Sequence, residues 1–369
     1  MMVKILHVVP TLGYGGVAKV VTNYYEAIDH NRYHFDFVTH GGVEDYHESL
    51  INQGSKIFYF QTIGKLGARK YCQQIKKMIS VAEYDIIHIH TGDITGVYAK
   101  CYHQCGAKKI ICHAHTTRAV SKSHKIFETV FRKMALKYSD ATMACGYEAG
   151  EYCFGKDHFV LLPNSIDYSA FNDVDEKTKK HLLEEFNIPE ERFIVGHIGH
   201  FSPPKNHFYL LDIAEAYIKV NPNVYFMLCG NGPRFEEVKQ RIKAANMEKN
   251  IILTGIRNDV NALMQIFDAF VLPSLHEGLP VVGIEAQTAG LHCLLSDQID
   301  HRVDIGCELC EFLPINDGVD VWVDALDRLC QNPEKKKGEV VLDALKKQGY
   351  DISSTRKILT EVYDSLVKQ

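Results

Sequence analysis

Short runs of apolar, β-branched residues alternate with amphipathic segments through the first 160 residues, pause, and begin again near residue 193. The strand candidates are 3–9, 34–39, 56–60, 85–90, 108–115, 141–145 and 158–162, then 193–199, 223–229, 251–254, 268–272 and 291–295. Helical patterns fall between several of them, the clearest at 16–28 and 121–138. Strands separated by helices cannot pair as hairpins and are expected in a parallel, doubly wound α/β sheet. An alternation that restarts in a chain of 369 residues predicts two such domains. The interruption at 164–192, a charged stretch with few β-branched residues, reads as a linker with an edge helix.

Hydrophobic residues make up 46% of the chain and charged residues 24%, as in globular proteins. No apolar run reaches 18 residues, and the N-terminus reads as a strand rather than a signal peptide, so a cytoplasmic protein is expected. The eleven cysteines sit largely within apolar runs, as reduced, buried thiols do. Cys307-x-x-Cys310 lacks the second pair that a zinc site needs. The charge is uneven: residues 1–165 carry 19 basic and 14 acidic residues, and the remainder 22 and 32. A basic half is compatible with an anionic acceptor or lipid surface, and equally with plain solvation.

The most informative segment is Pro273-Ser-Leu-His-Glu277-Gly278-Leu279-Pro280-Val-Val-Gly-Ile-Glu285-Ala286, with seven residues between its two glutamates. Pro280 is suited to open a helix, and the apolar flanks on both sides suggest a buried strand–turn–helix. Such a turn offers carboxylates, acceptors for sugar hydroxyls. It also offers amides at a helix N-terminus, which favour phosphate. Together these suit a nucleotide-sugar. Upstream, Gly13-Tyr-Gly15-Gly16-Val-Ala18 follows the first strand and fits G-x-G-x-x-A. A dinucleotide site would also need an acid near the end of the second strand. That strand ends in Thr39 and His40, which disfavours NAD.

Two H-x-H pairs, His88/His90 and His113/His115, fall in strands, where residues i and i+2 share a face and could ligate a metal. The sequence identifies no third ligand, so no metal is expected. Asp173-x-Asp175 lies in the linker and reads as a helix cap.

The glutamate pair resembles the E-x7-E motif of the family 4 retaining glycosyltransferases, and the other motifs follow in that family's order. The resemblance runs through nearly the whole chain and looks nearest to bacterial enzymes of capsular and exopolysaccharide synthesis. It implies a GT-B architecture: two Rossmann-like domains facing a cleft, an acceptor domain over 1–175 and a nucleotide-sugar domain over 190–350. A last helix at about 353–369 would return to the first domain.

It also implies roles for single residues. His115 would contact the donor sugar. Lys205, in Gly199-His200-Phe-Ser-Pro-Pro-Lys205-Asn206, would stabilise the departing diphosphate. Glu277 would hold the sugar's outer hydroxyls and Glu285 the ribose. Gly15, Gly16, Gly278 and Leu279 would lie along the donor, with Asn231 and Arg257 in loops around the base. The chain departs from the family pattern at two places: Ala18 replaces a glutamate, and His200 replaces an arginine that clamps the diphosphate.

The reading is therefore a metal-independent retaining hexosyltransferase. It would use a nucleotide-sugar, UDP-linked, and a glycan or polyprenyl-diphosphate acceptor, with no nucleic acid and no cofactor. The departures at 18 and 200 keep a non-catalytic GT-B partner protein as an alternative, and the fold is also that of nucleotide-sugar epimerases. The segment 121–138, with Lys122, Lys125, Arg132, Lys133 and Lys137 among Ile126, Phe127, Val130 and Phe131, is a basic amphipathic helix. It would either pack on the sheet or also touch the inner face of the membrane.

Overall fold

A computed structural model describes residues 2–13, 16–43, 46–116, 122–277, 279–333 and 335–368. The chain divides into two compact units, Met1–Ser165 with Ile352–Gln369, and Ile166–Asp351.

The first unit is a seven-stranded, fully parallel sheet. Its strands are β1 (Val3–Val9), β2 (Tyr33–Thr39), β3 (Ile57–Tyr59), β4 (Ile86–Ile89), β5 (Ile110–Ala114), β6 (Ala141–Ala144) and β7 (Val160–Leu161), in the order β3-β2-β1-β4-β5-β6-β7. Every residue of β4 and β5 is buried, as expected of strands covered on both faces. One face carries Ile5, Val9, Phe35, Phe37 and Ile86, under the helices Gly16–Ala27 and Ile352–Val367. Tyr363 and Leu359 of the second of these helices are fully buried there, and Tyr33 donates to Asp364 at 2.7 Å. On the other face, the helix Lys122–Tyr138 packs closely on Thr95–Gln104 because Gly96 has no side chain. A Cβ at Gly96 would lie 2.3 Å from the backbone nitrogen of Ala135.

The second unit is a six-stranded parallel sheet: β8 (Phe193–Ile198), β9 (Val224–Cys229), β10 (Ile251–Gly255), β11 (Ala269–Leu272), β12 (His292–Ser296) and β13 (Cys310–Leu313), in the order β10-β9-β8-β11-β12-β13. Residues 166–175, read from the sequence with the first domain, belong to this unit. Ile166 and Phe171 lie in its core with Leu263 and Ile284. The stretch read as a linker contains the helices Tyr168–Asn172 and Glu176–Glu185. Asp175 caps the longer of them, its carboxylate accepting from the Thr178 N–H at 2.6 Å. Strand β13 had no counterpart among the sequence candidates.

In both sheets the chain reverses its direction of growth once, between β1 and β4 and between β8 and β11. In open α/β sheets, ligands bind outside the carboxyl ends of the strands at such a switch point.

Candidate donor site and the histidine cluster

The two strands flanking the second switch point deliver Lys205 and Glu277. The loop after β8 runs through Gly199 to Asn206, and the loop after β11 runs from Pro273 to Pro280. Backbone hydrogen bonds join these loops to their neighbours: Gly199 N–H to Cys229 O at 3.0 Å, Phe201 N–H to Asn231 O at 3.0 Å, Gly230 N–H to Gly255 O at 2.8 Å and Leu275 N–H to Pro204 O at 2.8 Å. Asn206 takes a left-handed conformation, φ 55°, and its side-chain amide donates to Pro273 O at 3.1 Å. Gly230, φ 137°, approaches the first loop so closely that a Cβ would meet Gly199 O at 2.1 Å.

Held this way, the Lys205 ammonium donates to Glu277 Oε1 at 2.6 Å, and the Ser274 hydroxyl donates to the same oxygen at 2.6 Å. Both charged side chains are 16% exposed. The pair is therefore partly shielded from water yet reachable, where a charge-assisted bond is strong. Pro280 stands one residue ahead of the helix Val281–Thr288, which carries the half-buried Glu285. Leu279 packs its side chain against the core of this unit.

His200 and Asn231 are exposed at the loop tips, and Asn231 Oδ1 accepts from the Gly232 N–H at 2.7 Å. Beneath Lys205 lie two buried imidazoles. His207 stacks on Phe201 with ring centres 4.0 Å apart, and His197 hydrogen-bonds Val271 O at 2.9 Å. Burial, then the neighbouring His197 ring and the Lys205 ammonium, pushes His207 down to about 2; burial outweighs the Val271 bond and holds His197 at about 4.

Arg257, expected in a loop around the base, lies in the loop after β10. Its guanidinium bonds Asp259 at 2.7 and 2.8 Å and Glu185 at 2.5 and 3.2 Å, and it lies over the Phe186 ring. It ties the loop after β10 to the helix Glu176–Glu185. Gly15 and Gly278 lie outside the described residues; Gly16 begins the first helix of the chain. The C-x-x-C cysteines are free, and burial together with the neighbouring Cys310 pushes the Cys307 thiol up to about 11.

The first unit holds something the sequence motifs did not reveal. Parallel pairing sets His7 opposite His88. The β4–β5 register sets Ile89 opposite Cys112, which puts His90 level with His113. Five histidines thus gather on one face at the carboxyl end of the sheet. His7 Nδ1 lies 3.1 Å from His90 Nε2, His90 Nδ1 lies 3.0 Å from His115 Nε2, and His88 Nε2 lies 3.2 Å from His113 Nδ1. Tyr363 hydroxyl meets His88 Nδ1 at 2.9 Å. All but His115 are fully buried. Burial lowers every one of these rings, His7 to about 3 and His115 to about 4, and neighbouring imidazoles add to the effect at His88, His90 and His113. The third ligand that the H-x-H pairs lacked in sequence is thus supplied by strand register.

Two parallel α/β sheets with this switch-point site define a GT-B protein, and known proteins agree. Residues 178–339 match the family described as glycosyl transferases group 1. EpsF of Bacillus subtilis (strain 168), named as a glycosyltransferase, is 30% identical over 98% of this chain and 96% of its own length. The chain belongs to the group 1 glycosyl transferases. An Escherichia coli galactosyltransferase that uses UDP-Gal and an α-D-GlcNAc-diphosphoundecaprenol acceptor is 25% identical over 89% of this chain and 88% of its own. Among solved structures, Anabaena HepE in complex with UDP and glucose superposes with a TM-score of 0.78 at 17% identity, covering 98% of this chain and 100% of that one.

Proposed function

We propose that the chain is a retaining hexosyltransferase that moves a sugar from a UDP-sugar to a glycan or polyprenyl-diphosphate-linked acceptor in cell-surface polysaccharide synthesis, without a metal. The observation that carries this is the Lys205–Glu277 pair at the β8/β11 switch point. A cation suited to a diphosphate adjoins a carboxylate suited to hydroxyls.

In the resting arrangement Glu277 occupies the ammonium. A donor diphosphate would compete for it, and charge building on the leaving phosphate would strengthen that contact as the glycosidic bond breaks. Glu285 is assigned to the ribose, Gly16, His200 and Asn231 to the rest of the donor, and His115 to its sugar. Gly15 and Gly278 keep the backbone roles their motif implies. The E. coli galactosyltransferase and the HepE complex support the choice of a UDP-sugar and a lipid-linked acceptor.

The test is a transfer assay with UDP-, GDP- and ADP-sugars and a short polyprenyl-diphosphate glycan, with and without EDTA. Proton NMR of the new linkage reads its anomeric configuration. Transfer from a UDP-hexose with the donor's configuration kept, and not lost in EDTA, is expected. An inverted product, or conversion of the donor with no acceptor present, would overturn the assignment.

A further inference from the structure

We propose that His90, His113 and His115 form a binding site for one divalent first-row transition ion of the zinc type. These three residues end β4 and β5, and one ring nitrogen from each lies within 4.8 Å of the others. Zinc bound by imidazole sits about 2.0–2.1 Å from each nitrogen, so tetrahedral ligands stand roughly 3.3 Å apart. The His90 Nδ1 to His115 Nε2 separation of 3.0 Å already approaches that spacing. The third nitrogen, within 4.8 Å of the other two, would close the remaining gap by rotation of its ring.

In metal sites the second ring nitrogen of a ligating histidine is held by a partner; here neighbouring imidazoles hold it for two of the three rings. His90 meets His7 through Nε2, leaving Nδ1 toward His115. His113 meets His88 through Nδ1, and His88 is in turn fixed by Tyr363. That leaves His113 Nε2 buried with no partner among the described residues. A buried polar nitrogen without a partner costs about 1–3 kcal/mol, and a metal bond would satisfy it. Neutral imidazole is the form that ligates, and burial keeps these rings neutral. His115 is half-buried, so the ion has a way in, and three protein nitrogens leave one position for water. The ion would occupy His115 Nε2, so it should oppose any part that ring plays in transfer; this last consequence alone rests on the function proposed above.

The experiment uses the untagged, full-length protein, stripped of metal and titrated with Co2+ while visible absorption is recorded, followed by Zn2+. One equivalent of Co2+ should give the intense visible bands of a four-coordinate ion, and Zn2+ should displace it. His113→Gln and His90→Gln should each weaken Co2+ binding at least tenfold, while His301→Gln, on the second domain, should leave it unchanged. Absence of a band in the wild-type protein, or a band that survives both substitutions, would overturn the site. Should the variants unfold, X-ray absorption of the Zn2+-loaded wild type decides: three imidazole ligands support the proposal, and fewer than three refute it.

Discussion

Lys205 and Glu277 stand 72 residues apart in the chain, yet their side chains meet at 2.6 Å because the strands that precede them are neighbours across the β8/β11 switch point. The contact has opposite consequences for the two partners. On the proposed mechanism, removing the lysine removes the charge that a leaving diphosphate needs. Lys205→Ala should lower kcat/KM about 10²–10³-fold, with the circular dichroism spectrum unchanged. Glu277→Gln keeps the shape but frees the ammonium, so turnover should fall while UDP binds several-fold more tightly. Steady-state kinetics with UDP as product inhibitor would check both. Near-normal turnover in both variants would remove the pair from the mechanism.

Gly230 is a site of backbone constraint. Its φ of 137° and the 2.1 Å approach to Gly199 O leave no room for a Cβ. Gly230→Ala should cost about 1–3 kcal/mol in backbone strain alone, with the clash added. Thermal melting would show the loss; an unchanged melting temperature would mean the loops after β8 and β9 are not held together in solution.

The two imidazoles beneath Lys205 make stability depend on pH. His207 and His197 resist protonation in the folded protein, while the unfolded chain takes protons near pH 6.5. Above about pH 7 neither state is protonated and the effect is absent. As pH falls below 6.5 the unfolded state gains protons that the folded state refuses, and stability drops by about 1.4 kcal/mol per pH unit for each histidine. The His197 contribution levels off near pH 4. His207→Phe should flatten the fall in melting temperature between pH 6.5 and 4.5. An unchanged slope would show that His207 is hydrated or protonated in the fold.

The helix Lys122–Tyr138 presents Ile126, Phe127 and Val130 at 77%, 52% and 50% exposure, on the same helix as Lys133 and Lys137. The side chains of Lys122 and Lys125 lie outside the described set. Among the described residues no helix is long and apolar enough to cross a membrane, so contact would be interfacial. Co-sedimentation with anionic vesicles is expected, and Phe127→Glu should abolish it. Equal binding by that variant, or none by the parent protein, would refute a membrane role for this helix.

The strands were largely legible because buried parallel strands are written as unbroken apolar runs, such as Ala269–Leu272 and Val224–Cys229. Strand β13 was not, since Cys310-Glu-Phe-Leu313 lies at the sheet edge and carries only a partial apolar signal. The segment after residue 165 misled for a related reason: its contributions to the core, Phe171, Leu182 and Ile188, are too widely spaced among charges to look periodic. In the candidate donor site, residue types and order were readable; the Arg257–Glu185 ion pair was not, because its partners lie 72 positions apart. The histidine cluster was hidden for the same reason. Each H-x-H pair is local, but their meeting, and the arrival of His7, depend on which strands become neighbours.

The first sheet is completed by nearly the last residues of the chain. Tyr363 and Leu359 close over β1, β2 and β4, and Tyr363 bonds His88. During synthesis, the strands of the first domain therefore emerge without one of their two covering helices on that face. At about 5–20 residues per second, the intervening Ile166–Asp351 takes on the order of 10–40 s to be made. Through that interval Phe35, Ile86 and His88 lack the helix that covers them. A nascent chain of this design can finish its second domain before its first.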